Sequence, residues 1–173
     1  MGVAVMLAGC ASYVTPSGRA DFKTFTSFSM QESFEAKPAA QFPASIVAIR
    51  VQSPRYRSYS TDREGGVHGA GRYSVLTVKE VEEDVDIQRI TKLPEIGGLI
   101  GLSSLLVPEG LNSDKELREA AARLKADMIL IYTFDTKFHM NEKVMPLSVV
   151  TLGLSPTHKV SVTVTASALL MDT

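Results

Sequence analysis

The stretch from Ser113 to Phe138 constrains the fold of this chain more than any other. Ser113-Asp114-Lys115-Glu116 reads as a capping box, a serine and a glutamate three residues apart that satisfy the free donors of a helix start. Acid in the first turn also suits the helix dipole. Leu117, Ala121 and Leu124 then fall on one face, and Glu119 stands four residues before Arg123. The small side chains of Ala120, Ala121 and Ala122 permit close approach to a sheet. A strand follows, in which Met128, Leu130, Tyr132, Phe134 and Phe138 alternate with Ile129, Ile131, Thr133, Asp135 and Lys137. Its first half is apolar on both faces and its second half is amphipathic, so the strand is expected to outgrow its cover.

Other segments supply partners. Ile46 to Val51 is a β-branched run of strand length, apolar enough for a central strand covered on both faces. Tyr73 to Val78 is a second strand candidate. Lys159 to Met171 is the last, with Val160, Val162, Val164, Ala166 and Ala168 facing one way and Ser161, Thr163, Thr165 and Ser167 the other. Thr77-Val78-Lys79-Glu80 reads as a capping box leading into Val81, Val85 and Ile90, a helix that stops near Leu93, before Pro94. Ser53 to Arg72, with Pro54 and four glycines, reads as a long loop. Glu95 to Gly110 is apolar but interrupted by Gly97, Gly98 and Gly101, so an irregular or short-helical cover is expected. Met140 to His158 reads as a hairpin-like excursion between the last two strands. These elements predict an α/β fold: a mixed sheet of about four to five strands, with two to three helices packed on its faces, preceded by an extended N-terminal tether.

The chain of 173 residues suits one domain with accessories, and its 45% hydrophobic content suffices for a core. A net charge of −1 gives no argument for nucleic acid. The single cysteine, Cys10, makes no internal disulfide, and no CxxC motif is present. His68, His139 and His158 lie far apart, so neither a metal nor a cofactor is expected.

Cys10 closes the apolar run Met1 to Gly9. Leu7-Ala8-Gly9-Cys10 resembles the bacterial lipobox, whose cysteine becomes the mature N-terminus and takes a diacylglycerol and further acyl chains such as palmitate. No Lys or Arg precedes the run, so residues 1–9 are read as a partial signal peptide. The alternative is a buried free cysteine on an apolar segment. The run is shorter than the roughly 20 residues a membrane-spanning helix needs. Residues 10–43 then form the lipidated cysteine and its tether, with local order: Phe22, Phe25 and Phe28 recur every three residues and are expected to pack onto the domain, while Ser29 to Glu32 is a second capping box. Residues 44–173 form one α/β domain.

A capped helix, Ala126-Asp127, an apolar strand, and a long strand ending Leu169-Leu170-Met171-Asp172-Thr173 resemble a fold shared by three bacterial envelope groups. These are the curli secretion lipoprotein, the lipoprotein activators of penicillin-binding proteins, and the N-terminal domain of the Tol propeller protein. In that fold the helix is followed by Gly-Ala-Asp, and the last strand by a Thr-Gly turn. Here Lys125 replaces the glycine and the sequence given stops at Thr173, which suggests a natural protein that continues. The resemblance spans about Ile46 to Thr173. It implies a mixed sheet used for protein contacts rather than catalysis. Ala11 rather than Asp follows Cys10, which among Gram-negative lipoproteins implies the outer membrane, facing the periplasm.

Three stretches invite a functional reading. Arg55, Tyr56, Arg57, Tyr59, Arg63 and Arg72 make one loop basic and aromatic, the composition of an interface anchor for a protein, a cell-wall polymer or anionic headgroups. The alternative is a solvated mobile loop. Val144 to Leu154 is the second; its Met145, Leu147, Val149, Val150 and Leu152 are candidates for membrane or subunit contact, against a packed covering loop. The third, Gly65 to Gly71, fits no phosphate-loop pattern. The acids Glu80, Glu82, Glu83, Asp84 and Asp86 follow one helix and read as a solvated face. No serine stands in a nucleophile motif, so no catalytic residues are assigned. The expected role is a non-catalytic, outer-membrane-anchored module that binds an envelope protein or assists assembly. The alternative is an oligomeric pore or secretion component with a membrane-contacting hairpin near Val144–Leu154.

Overall fold

A computed structural model describes residues 15–26, 35, 37, 39–77, 84–107, 110–142 and 158–173; for 84–86, 140–142 and 158–160 only the backbone is described. The described chain folds as an α/β unit around an open mixed sheet of six strands. Strand β1, Ala44–Gln52, is central and buried along most of its length, as its β-branched run predicts. Its neighbour β5, Met128–Glu142, runs parallel to it, with Ile46 opposite Met128 and Ile49 opposite Ile131. Strand β6, His158–Asp172, is antiparallel to β5 in an unbroken register from Met128 opposite Asp172 to Glu142 opposite His158.

The other edge of β1 is shared by two strands. Its second half pairs antiparallel with β3, Ser74–Leu76, which carries the two-residue β2, Val67–His68. Its first half pairs parallel with β4, Ile96–Gly101. That last strand corrects the irregular reading of Glu95 to Gly110. Gly97 is passed over at the register shift between Ala44 and Ser45, where a Cβ would lie 3.2 Å from the carbonyl oxygen of Pro43; Gly98 and Gly101, which pair with β1, have open space. Strand propensity is overridden by the room available beside β1.

Four helices are described, against the two to three expected: α1, Phe22–Phe25; α2, Tyr59–Glu64; α3, Asp84–Thr91; and α4, Asp114–Arg123. A 3₁₀ turn covers Ser104–Leu106. Helix α3 ends ahead of Pro94, as predicted. Helix α2 corrects the reading of Ser53 to Arg72 as one long loop. Ser58 caps it, accepting from the Thr61 amide while the Thr61 hydroxyl accepts from the Ser58 amide, and Gly65 closes it at φ 73°. The start of α4 follows the capping-box reading with a shift in bonding. Glu116 Oε2 accepts from both the Ser113 amide, at 3.0 Å, and the Ser113 hydroxyl, at 2.7 Å.

One face of the sheet carries the main core. Val47, Ile49 and Val51 of β1 and Ile129 and Ile131 of β5 pack with Leu117, Ala120 and Ala121 of α4, all buried. Each fully buried aliphatic side chain of this kind contributes about 1.5–3 kcal/mol. Ala44, Ile46 and Met128 start a smaller cluster on the opposite face, against Ile96, Leu99 and Leu130.

The N-terminal segment read as a tether is, over Thr15–Thr26, part of this body. Phe25 is fully buried, with its ring edge-to-face on Tyr73 at 4.8 Å. Ala20 N donates to Thr133 Oγ1 at 2.9 Å, and Arg19 bridges Gln52 of β1. Phe22 packs beside the core as well. Phe28 and Ser29–Glu32 lie outside the described residues.

Strand β5 outgrows its cover: it is mostly buried from Met128 to Thr133 and half-buried or exposed from Phe134 to His139. Even-numbered residues of the outer β5–β6 ribbon share one face, and Val162 and Val164 are 52% and 49% exposed there. Both strands reach further than Met140–His158 as an excursion allows, pairing as far as Glu142 and His158.

At the opposite end of the ribbon Thr173 meets the start of β5. Thr173 N donates to Asp127 O at 3.2 Å and Thr173 Oγ1 to Ala126 O at 2.8 Å. Lys125, which precedes Ala126, adopts the left-handed conformation at φ 57°.

Candidate functional site

The candidate surface begins where β1 ends. Ser53 leaves the strand, and Arg55 turns the chain through a left-handed conformation at φ 53°. The next residue returns inward. Tyr56 is 3% exposed, and its hydroxyl accepts from Arg50 Nη2 at 3.2 Å. Arg50 also lies over the ring of Phe134 at 4.8 Å and over that of Tyr56 at 5.6 Å. Tyr56 therefore braces the interior and is not offered to a partner.

The residues after it face outward. Arg57 forms a two-pronged pair with Asp62, Nε to Oδ1 at 3.2 Å and Nη2 to Oδ2 at 2.8 Å. That hydrogen bond from Arg57 holds the Asp62 carboxyl below its ordinary range. Tyr59 is 55% exposed, and Arg63 one turn later donates to its hydroxyl at 2.7 Å with its guanidinium 5.4 Å from the ring centre. Spacing of four on α2 places these two side by side. Tyr59 and Arg63 thus share one short helix, and Arg57, just before its cap, is fastened to it through Asp62. Arg55 precedes them, exposed.

Arg72 stands apart from that group. It precedes β3, donates its amide to Asn112 Oδ1 at 3.4 Å, and lines an open cleft with Arg19. Arg19 carries no local sequence signal of this placement. Arg50, inside the run from Ile46 to Val51, carries no local signal either.

Cys10 and the contact candidates Met145, Leu147, Val149, Val150 and Leu152 lie outside the described residues. Glu80, Glu82 and Glu83 lie outside them too, as do the side chains of Asp84 and Asp86. Among the described residues no group of three His, Cys, Asp or Glu side chains is placed to hold a metal. No helix among them is long and apolar enough to cross a membrane, which says nothing of strands. No protein-family model, no curated protein and no solved structure matches this chain.

Proposed function

We propose that the chain is a bacterial envelope lipoprotein, acylated at Cys10, anchored in the outer membrane and facing the periplasm. Its folded body acts there as a non-catalytic module that binds an envelope protein or assists assembly. The observation that carries this reading is Leu7-Ala8-Gly9-Cys10, with the sole cysteine at the close of the apolar run. Two acyl chains or more anchor stably where one does not. The resemblance of the distal domain to envelope folds supports the same compartment. The exposed Arg55, Arg57, Tyr59 and Arg63 support a docking role, since Arg and Tyr are frequent interface anchors. Metabolic labelling with palmitate tests the anchor. Wild type is expected to take label and Cys10→Ala none; an unlabelled wild type defeats the anchor and with it the compartment. Crosslinking from a photoreactive residue at Tyr59 tests the docking surface, and a failure to trap any envelope protein counts against it.

A second reading, an oligomeric pore or secretion component, is favoured by the β5–β6 ribbon. Membrane strands alternate apolar and polar residues over about 9–11 positions. Ser161 to Ala168 alternates in this way, with Val162 and Val164 exposed. Light scattering on the detergent-solubilised protein separates the readings: a stable ring supports the pore, and a monomer rules it out.

A further inference from the structure

The cleft beside Arg72 has a volume of about 320 Å³ and lies where the N-terminal segment meets the end of β1. That size falls at the lower end of small-molecule sites, which run from about 300 to 1,000 Å³. Arg19 enters it from the N-terminal segment and Arg72 from the segment before β3. Ala20, Pro54 and Tyr73 give it an apolar lining.

Both arginines rise from fixed backbone. On one side Arg19 bridges Gln52, and Ser53 N donates to Gly18 O at 3.1 Å. On the other, Arg72 N donates to Asn112 Oδ1 and Tyr73 N to Leu111 O at 3.2 Å. Neither guanidinium has a hydrogen-bond or ion-pair partner among the described residues. The one acid of the lining, Asp21, is committed through Oδ1 to the Lys23 amide, where it caps α1. The hydroxyls of Thr24 and Tyr73, 2.7 Å apart, are engaged with each other and with Asp21 O, at 3.1 and 3.4 Å, so the two guanidinium groups are the donors left for an oxyanion.

We propose that this cleft binds a small amphiphilic anion, a phosphate monoester or carboxylate attached to a ring or short hydrocarbon. Arg19 and Arg72 hold the oxyanion, because guanidinium forks match its geometry and bond it more strongly than neutral donors do. The apolar portion lies against Ala20, Pro54 and Tyr73. The four-residue helix α1 contributes no anion site of its own. The assignment does not depend on lipidation or on the docking role.

Titration of the full chain, ¹⁵N-labelled in a neutral detergent, with phenyl phosphate tests it. Saturable shifts are expected at the amides of Arg19 to Thr24, Ser53, Arg72 and Tyr73. Arg19→Gln and Arg72→Gln, both at exposed positions, should each weaken binding roughly tenfold, as the loss of a hydrogen bond to a charged group does. Their thermal midpoints should be unchanged. Inorganic phosphate should bind more weakly, and phenol should not saturate. Three results would overturn the proposal: no saturable shift, affinity untouched by both substitutions, or inorganic phosphate bound as tightly as the ester. Binding to phosphatidylglycerol vesicles that needs both arginines, without binding of phenyl phosphate, would assign them to a headgroup surface and also overturn it.

Discussion

The side-chain amide of Gln52 takes the place of a backbone peptide opposite Phe134. Gln52 Nε2 donates to Phe134 O at 3.0 Å, and Phe134 N donates to Gln52 Oε1 at 3.0 Å. The β1–β5 ladder ends at Ile49 opposite Ile131, so the amide carries the pairing on as the two strands part. The Thr133 hydroxyl, which accepts from the Ala20 amide, also donates to Oε1. One buried side chain thus joins β1, β5 and the N-terminal segment.

Gln52→Ala should therefore destabilise the fold by about 2–3 kcal/mol, since partly buried backbone groups of Phe134 lose their partners. Urea unfolding reads this as a lower midpoint with the slope unchanged. A shift below about 0.5 kcal/mol, the range of an ordinary surface substitution, would show that water takes over both bonds.

Phe25→Ala should cost about 3–5 kcal/mol, the usual range for emptying a buried aromatic site. The ring is fully buried against Tyr73, as expected of phenylalanines that pack the N-terminal segment onto the domain. A true tether would tolerate the change. Proteolysis sharpens the contrast: cleavage after Lys23 should be slow in the wild type and fast in the variant.

Physical reasons separate what could be read from sequence and what could not. Helix α4 and strands β1, β5 and β6 were legible because their signals are local: a capping box, a β-branched run, and a period of two. Strand β4 was not, since Gly97 suits a neighbour distant in sequence, the Pro43–Ala44 backbone. Helix α2 hid because the glycines after it dominate the composition, although Ser58 and Thr61 carried a capping signal. Within the candidate surface, Tyr56 and Tyr59 look alike in sequence, yet one is buried under Arg50 and the other exposed. The Arg19–Arg72 cleft joins residues from opposite sides of β1, which no local pattern reports.

Lys125→Gly should stabilise the chain. Lys125 N donates to Ala122 O at 2.9 Å and Ala126 N to Ala121 O at 3.2 Å, the bonding of a Schellman close to α4. That close needs a left-handed residue, which costs a side-chain-bearing L-residue roughly 1–2 kcal/mol and glycine almost nothing. The greater freedom of glycine in the unfolded chain offsets part of the gain. A net rise of about 0.5–1 kcal/mol is expected, seen as a higher thermal midpoint.

Stability should also fall in acid through Asp127. Its Oδ2 accepts from the Ser45 hydroxyl at 2.7 Å and the Ser45 amide at 2.8 Å, while its own amide donates to Ser45 O at 3.0 Å. These bonds, the hydroxyl first, hold the carboxyl below its ordinary value of 3.8. A pKa lowered by folding means that the unfolded chain binds more protons in this window, so stability rises with pH across it. The contribution is complete above 3.8 and is lost as pH falls through the lower folded value. Glu116 acts in the same sense: burial opposes its ionisation, but the Ser113 hydroxyl and nearby amides outweigh it. Asp127→Asn isolates one group from the other. The gap in urea midpoint between wild type and variant should be constant from about pH 7 to pH 5 and should narrow below the ordinary value of 3.8, as the wild-type carboxyl takes up its proton. A gap that stays level down to pH 3 would mean that geometry at Ser45, and not charge, fastens the start of β5 to β1.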